Sequence, residues 1–341
     1  MEKLTIAYIG FGKSTTRYHL PYVLNRPTIK VKSIYARSEK PEEADFSEYG
    51  IEFVRSIDAI LDDPAIQLVV ICTPPNSHFD YAMQVLNSGK HVLVEKPFSW
   101  TKQEAKEIFS LANEKGLIAM PYQNRRFDSD YLALLQAMAD ERMGQVVELE
   151  SHFDRFRPQY DLPLADYQSG AFYGLGVHLI DQVVALFGAP DRVSYDIRSI
   201  RNPENKQDDY FDIQLFYPTF KAIVKCNHLV VAGAPRWQLL AQSGSFKKLE
   251  IDRQELDLKA RLWPKDEGFG LDRTEDYGTL YFKDAEDGPL TTEALPTPEG
   301  DYGRVYDNLY DVVYKGADKL VSDEDALTVI EILENGMKDL S

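Results

Sequence analysis

The chain has 341 residues, of which 44% are hydrophobic and 27% charged, and a formal net charge of -17. These proportions exclude a disordered, collagen-like or membrane-embedded chain, and the length suits two domains rather than one. The acidic balance excludes sequence-independent binding to nucleic acid or anionic lipid, which needs clustered Lys and Arg. It leaves room for an anion held by backbone N–H groups and one local basic patch.

Leu4 to Ile9 form a short apolar run closed by Gly10-Phe11-Gly12, and the stretch to Asn25 reads as a helix. A strand, a glycine turn and a helix follow one another. Ile29 to Ala36 alternate as a second strand, and Leu68 to Cys72 is a continuous apolar run of the kind buried on both faces. The rhythm continues with a helix Ser77 to Asn87, a strand His91 to Glu95, a helix Lys102 to Lys115 and a strand Leu117 to Pro121. Strands and helices in this order predict a doubly wound parallel sheet over residues 1–122.

From residue 123 to 341 the pattern changes. A helix Ser129 to Arg142, a strand Val146 to Phe156 and an irregular Pro-rich stretch Pro158 to Asp166 precede a helix Val177 to Phe187. Strands then dominate to Phe282, among them Asp212 to Phe216, Lys221 to His228 and Trp237 to Gln242. The second domain is therefore read as α+β with a mainly antiparallel sheet, the chain as α/β overall. The last 40 or so residues return to helix, Ser322 to Asp325 resemble a capping box, and the C-terminal helices are free to pack back on the first domain.

Cys72 and Cys226 each sit inside an apolar run, so no disulfide is expected. Met1 to Leu4 lead into a strand without signal-peptide features, and no apolar run is long enough to span a bilayer, so the expected address is the cytoplasm. No metal site is expected.

Gly10 and Gly12 supply the tight turn and close backbone approach that a pyrophosphate needs at a helix N-terminus. Thr15 stands at the third small position of that fingerprint, and Lys13-Ser14 does not make a P-loop because position 7 is Ala7 rather than glycine. Where an NAD enzyme places a ribose-binding acid, this chain reads Ala36-Arg37-Ser38, which suits a 2′-phosphate and tips the cofactor toward NADP over NAD. Lys96, in Glu95-Lys96-Pro97 at the carboxyl edge of the sheet, is placed to move a hydroxyl proton during hydride transfer.

Gly10-Phe11-Gly12, Cys72-Thr73-Pro74-Pro75-Asn76-Ser77-His78, Glu95-Lys96-Pro97 and Gly176-Val177-His178-Leu179-Ile180-Asp181, in this order and at these spacings, resemble the glucose-fructose oxidoreductase, inositol dehydrogenase and rhizopine catabolism (Gfo/Idh/MocA) family. Within it, residues 10–16 and 123–128 resemble an uncharacterised, NADP-linked bacterial branch. The resemblance implies a Rossmann domain followed by an α/β domain whose open sheet forms the interface of a homodimer or homotetramer. It implies that Thr73, Pro74, Asn76, His78 and Glu95 line the cofactor beside Gly10, Gly12, Lys13, Ser14, Thr15, Arg37, Ser38 and Lys96, that Lys96 and His178 are the catalytic acid and base, and that Lys96-Pro97 is a cis peptide.

A helix beginning around His178 would keep its ring neutral, and Asp181 would orient that ring or cap the first turn. Asn124, Arg125, Tyr160, Tyr173 and His178 are the candidate substrate contacts, with Arg126 and Asp128 as polar neighbours and Phe172 as a further wall. Arg side chains here equally suit ion pairs, and Tyr160 and Phe172 equally suit packing. Many inositol dehydrogenases of the family carry an aspartate four residues before the histidine; here that residue is Gly174. The expected activity is hydride transfer between nicotinamide C4 and a secondary alcohol or keto carbon of a sugar, inositol or related polyol. A glycosidase using transient oxidation and a non-catalytic dinucleotide or sugar sensor are the alternatives.

Overall fold

A computed structural model describes residues 2–160, 164–283 and 285–338. The chain divides into two units. The first combines the described residues of Met1–Asn124 with the returning segments Leu256–Glu267 and Asp301–Ile330, and the second combines Arg125–Glu255, Gly268–Gly300 and the described part of Glu331–Ser341.

In the first unit, β1 (Leu4–Ile9) is followed by a helical segment that contains a π turn, Thr15–His19, and ends as α1 (Leu20–Val23). Pro21 lacks the N–H that an α-helix would use at that point, and the widened π turn sits just before it. Then come β2 (Ile29–Tyr35), β3 (Glu52–Val54), α2 (Asp58–Leu61), β4 (Leu68–Ile71), α3 (His78–Asn87), β5 (His91–Val94), α4 (Lys102–Glu114) and β6 (Ala119–Pro121). The strands form one sheet in the order β3-β2-β1-β4-β5-β6, and every pairing is parallel. Leu68, Val69, Val70 and Ile71 are each 0% exposed, as expected for a central strand with helices on both faces. The order reverses between β1 and β4, and the loops after β1, β2 and β4 open at that switch point.

The second unit holds α5 (Ser129–Met138), β7 (Val146–His152) and α6 (Val177–Phe187), followed by β8 (Arg192–Arg198), β9 (Tyr210–Phe216), β10 (Lys221–Asn227), β11 (Trp237–Ala241) and β12 (Gly244–Lys248). After α7 (Gln254–Lys259) come β13 (Gly278–Phe282) and β14 (Thr291–Leu295). The eight strands run β14-β13-β12-β11-β7-β10-β9-β8, antiparallel except for β7 against β10. The fold class is thus α/β, a Rossmann sheet plus a mostly antiparallel sheet. Helix α5 stops at Met138, short of the expected Arg142, because Arg142 folds back on Asp140 through its own N–H and its guanidinium. The regular ladder of β7 likewise ends at His152 rather than Phe156. The Pro158–Asp166 stretch lies partly outside the described residues.

Two helices close the chain, α8 (Arg304–Lys315) and α9 (Asp323–Lys338). The Ser322 hydroxyl accepts the Asp325 N–H at 3.0 Å, the bond that the capping-box reading expects. Among the described residues no helix is long and apolar enough to cross a membrane. Cys72 and Cys226 are buried and free.

Candidate active site

The glycine turn is built by backbone. The Gly10 N–H donates to Tyr35 O at 3.0 Å, and Gly10 adopts φ +109° with its missing Cβ aimed 2.7 Å from the Cys72 carbonyl oxygen. Any side chain there would collide with the end of β4. At Gly12 an added Cβ would meet no protein atom within 4 Å, so the fold itself does not require glycine at that place. A ligand pressed against the backbone would require it, as a dinucleotide pyrophosphate does.

A cavity of about 460 Å³ opens at this turn. Gly10, Gly12, Arg37, Ser38, Thr73, Pro74 and Asn76, all expected from the sequence, lie on its wall. Lys40 joins them. Its Nζ donates to Phe11 O at 2.5 Å and sits 5.8 Å from the Phe11 ring centre, which brings a second cation beside Arg37. No motif marks Lys40 in the sequence; its place three residues after Arg37 is the signal that could have found it.

The remaining cofactor candidates lie beneath or beside that wall. Lys13 is exposed. Thr15 is fully buried, and its hydroxyl donates to Gly10 O at 2.8 Å, so the bulkier residue at the third fingerprint position is held by the turn itself. His78 is also fully buried, its Nδ1 at 2.8 Å from Pro97 O and its Nε2 at 2.9 Å from Thr73 O. It ties the segment after β4 to the segment after β5, and burial lowers its pKa. Lys96 is half-buried, and the Lys96-Pro97 bond is cis.

Glu95 is buried beside it. Its Oε1 accepts from the Ser14 hydroxyl and lies 3.0 Å from His19 Nε2, and its Oε2 accepts the Lys96 backbone N–H at 3.0 Å. Burial alone would raise its pKa, but these donors and the nearby cationic charge outweigh it and hold Glu95 down at about 2. His19 and Ser14 were not read from the sequence as partners of Glu95, because neither spacing nor composition links positions so far apart.

In the second unit His178 is 5% exposed and lies in the first turn of α6. The expected helix start needs correction. A π turn, Phe172–Gly176, runs continuously into α6, so the free N–H groups of this helical segment belong near Ala171 and Phe172 rather than beside His178. The Ala171 N–H donates to Asp208 O at 3.0 Å, and the Phe172 N–H donates to Asp208 Oδ2 at 2.7 Å. The helix-terminus field therefore acts about two turns upstream of His178.

Asp181 pairs with Arg126 through both oxygens, at 2.9 and 2.8 Å. Arg125 pairs with Asp128 at 3.2 Å and with Glu255 at 2.5 Å, its guanidinium 5.1 Å from the Phe153 ring. Asn124 and Tyr173 are buried, Tyr160 is exposed, and Phe172 is a core residue packed on Phe211 and Tyr195. An added Cβ at Gly174 would meet nothing within 4 Å, so the missing aspartate is not excluded by space.

The two halves of this arrangement match known families. Residues 4–123 match an oxidoreductase family with an NAD-binding Rossmann fold, and residues 136–340 match the C-terminal alpha/beta domain of the same family. The chain belongs to the Gfo/Idh/MocA oxidoreductase family.

Among its relatives, the uncharacterized oxidoreductase YhhX of Escherichia coli is 49% identical over 99% of this chain and 97% of its own length. The scyllo-inositol 2-dehydrogenase (NADP(+)) IolW of Bacillus subtilis is 31% identical over 99% and 94%. An oxidoreductase of known structure from Bacillus cereus is 45% identical, covers 98% of this chain and 96% of its own, and superposes with a TM-score of 0.94.

Proposed function

We propose that this Gfo/Idh/MocA protein is an NADP-dependent dehydrogenase or reductase that moves a hydride between nicotinamide C4 and a secondary alcohol or keto carbon of a sugar, inositol or related polyol. The observation that carries the reading is the cavity at Gly10 and Gly12, whose wall includes Arg37, Ser38 and Lys40 where an NAD site would present an acid. Two cations and a hydroxyl suit the 2′-phosphate. The name of the Bacillus subtilis relative, an NADP-linked scyllo-inositol dehydrogenase, agrees in both cofactor and substrate class.

When bound, the nicotinamide supplies the hydride acceptor or donor. The protein's own groups handle the rest. Lys96 takes the hydroxyl proton during oxidation or returns it during reduction, with His178 as the second acid or base. Gly10, Gly12 and Ser14 hold the pyrophosphate side, with Thr73, Pro74 and Asn76 along the dinucleotide. Asn124, Arg125, Tyr160 and Tyr173 are assigned to the polyol.

Oxidation of scyllo-inositol, myo-inositol and common sugars with NADP and NAD, followed at the reduced-nicotinamide absorbance, tests the assignment. Turnover with NADP and at least one polyol is expected. Glycoside cleavage with no net nucleotide consumption, or tight NADP binding with no turnover on any polyol, would overturn it.

A further inference from the structure

Beside Lys96 the first unit contains a buried polar chain built from residues other than those that line the cavity. It starts at Glu95, whose contacts with Ser14, His19 and the Lys96 N–H are given above. The His19 ring is 0% exposed and stacks on Tyr122, with ring centres 4.0 Å apart. Its Nδ1 lies 2.6 Å from the Tyr306 hydroxyl, which in turn lies 2.9 Å from the Tyr8 hydroxyl. Tyr8 and Tyr306 are both 0% exposed.

The chemistry of these groups sets a direction. An ionised carboxylate only accepts, so His19 Nε2 carries the hydrogen it shares with Glu95. In the neutral ring Nδ1 then accepts from Tyr306, whose oxygen is left to accept from Tyr8. The chain ends on a buried phenol, so it gives protons no route to solvent. What it does is fix a charge. A buried carboxyl without donors reverts to its neutral form, whereas one with several donors stays ionised.

We propose that His19, oriented by the Tyr306 and Tyr8 hydroxyls, is a positioning residue that keeps Glu95 ionised and fixed at the Lys96 strand end, so that a carboxylate charge stands next in the chain to the lysine that takes up the proton during oxidation and returns it during reduction. The groups acting on Glu95 agree. His19 and Ser14 are its side-chain donors, Lys96 is the cationic neighbour, and the Cys72 thiol, the Tyr122 phenol and the His78 ring are the other titratable neighbours that feel its charge. The part concerning Lys96 rests on the function proposed above; the part concerning Glu95 does not.

The test is an infrared titration of the full chain carrying carboxyl-labelled glutamate, with Glu95→Gln subtracted to assign the Glu95 band. In the wild type Glu95 stays ionised from about pH 8 down to about pH 5. In His19→Phe, which keeps a ring against Tyr122 but loses both hydrogen bonds, a protonated Glu95 band grows in within that window. In His19→Gln, whose amide has a donor for Glu95 and an acceptor for Tyr306, the wild-type spectrum returns. A Glu95 that stays ionised in His19→Phe, or a Gln variant that behaves like Phe, would overturn the proposal.

Should His19→Phe not fold, nitrogen NMR of the wild-type histidines decides instead. A hydrogen on His19 Nε2 is required, and its absence overturns the proposal. Lys96→Met separates the two levels. If it retains turnover, the acid-base reading of Lys96 fails while the infrared result stands; if it is inactive and the infrared result is absent, only the His19 inference fails.

Discussion

Arg126 grips both carboxylate oxygens of Asp181, and both side chains are buried. Asp181 stands three residues after His178 on α6, so the pair ties the histidine helix to the short turn that opens the second unit. Removing one member takes this two-pronged ion pair from the other in a low-dielectric site. Asp181→Asn is expected to cost about 3–5 kcal/mol of unfolding free energy. The double change Arg126→Met with Asp181→Leu should cost less than the two single changes added together. Urea denaturation of the wild type, Asp181→Asn, the Arg126→Met and Asp181→Leu single variants and their double tests this; purely additive losses would refute a paired role.

The two glycines of the turn should separate under substitution to alanine. Gly10→Ala meets the Cys72 carbonyl and holds an unfavourable φ, so it should lose about 1–3 kcal/mol of stability. Gly12→Ala meets no protein atom, so its stability should stay within about 0.5 kcal/mol of wild type. Its nucleotide affinity should nevertheless fall at least about tenfold, because the new methyl occupies the pyrophosphate approach. Thermal unfolding and calorimetric titration read the two effects separately.

Cofactor choice is tested by Arg37→Ala, alone and with Lys40→Ala. Loss of a charge-assisted contact to a 2′-phosphate should weaken NADP about 10- to 100-fold per residue while NAD binding changes little. Equal weakening of both dinucleotides would place these side chains elsewhere on the ligand.

Lys96→Met should bind NADP within about threefold of wild type yet lose at least about 100-fold in turnover. Nucleotide binding by fluorescence and single-turnover absorbance together check the split.

Asp208 caps the helical segment that leads to His178, and burial, assisted by the neighbouring Asp209 charge, raises its pKa to about 7. A raised carboxyl pKa means that the folded state favours the protonated form. Its stabilising contribution is therefore present in full below the ordinary carboxyl range near about 4 and is lost as the pH rises through about 7. Asp208→Asn keeps an acceptor for the Phe172 N–H and has no such titration. Between about pH 5 and 8 the melting temperature of the wild type should fall relative to that of the variant. Parallel curves would show that Asp208 is ionised throughout.

Much of the first sheet could be read from the chain because buried parallel strands are continuous apolar runs and the glycines between them are turn residues. Helix α6 matches Val177–Phe187 to the residue, yet the π turn before it left no trace in the hydrophobic period. Its cause is the packing of Phe172 against Phe211 and the capping by Asp208, and both partners are more than 30 positions away. The same holds for the site. Gly10, Arg37 and Thr73 stand in local motifs and were legible. Asp181 was paired with His178 or a helix cap by proximity in sequence, while the partner that takes both its oxygens is Arg126, 55 residues earlier.

The returning segment Asp301–Ile330 has a consequence for the order in which the protein is made. Arg26 binds Asp301 and Asp307, and His19 meets the Tyr306 hydroxyl, so residues of the first helical turns wait for partners nearly 300 positions later. A nascent chain that has emerged only as far as Asn124 holds every strand of the parallel sheet but neither of those carboxylates nor that phenol. The residues that begin the nucleotide-binding half leave the ribosome well before the ones that complete it.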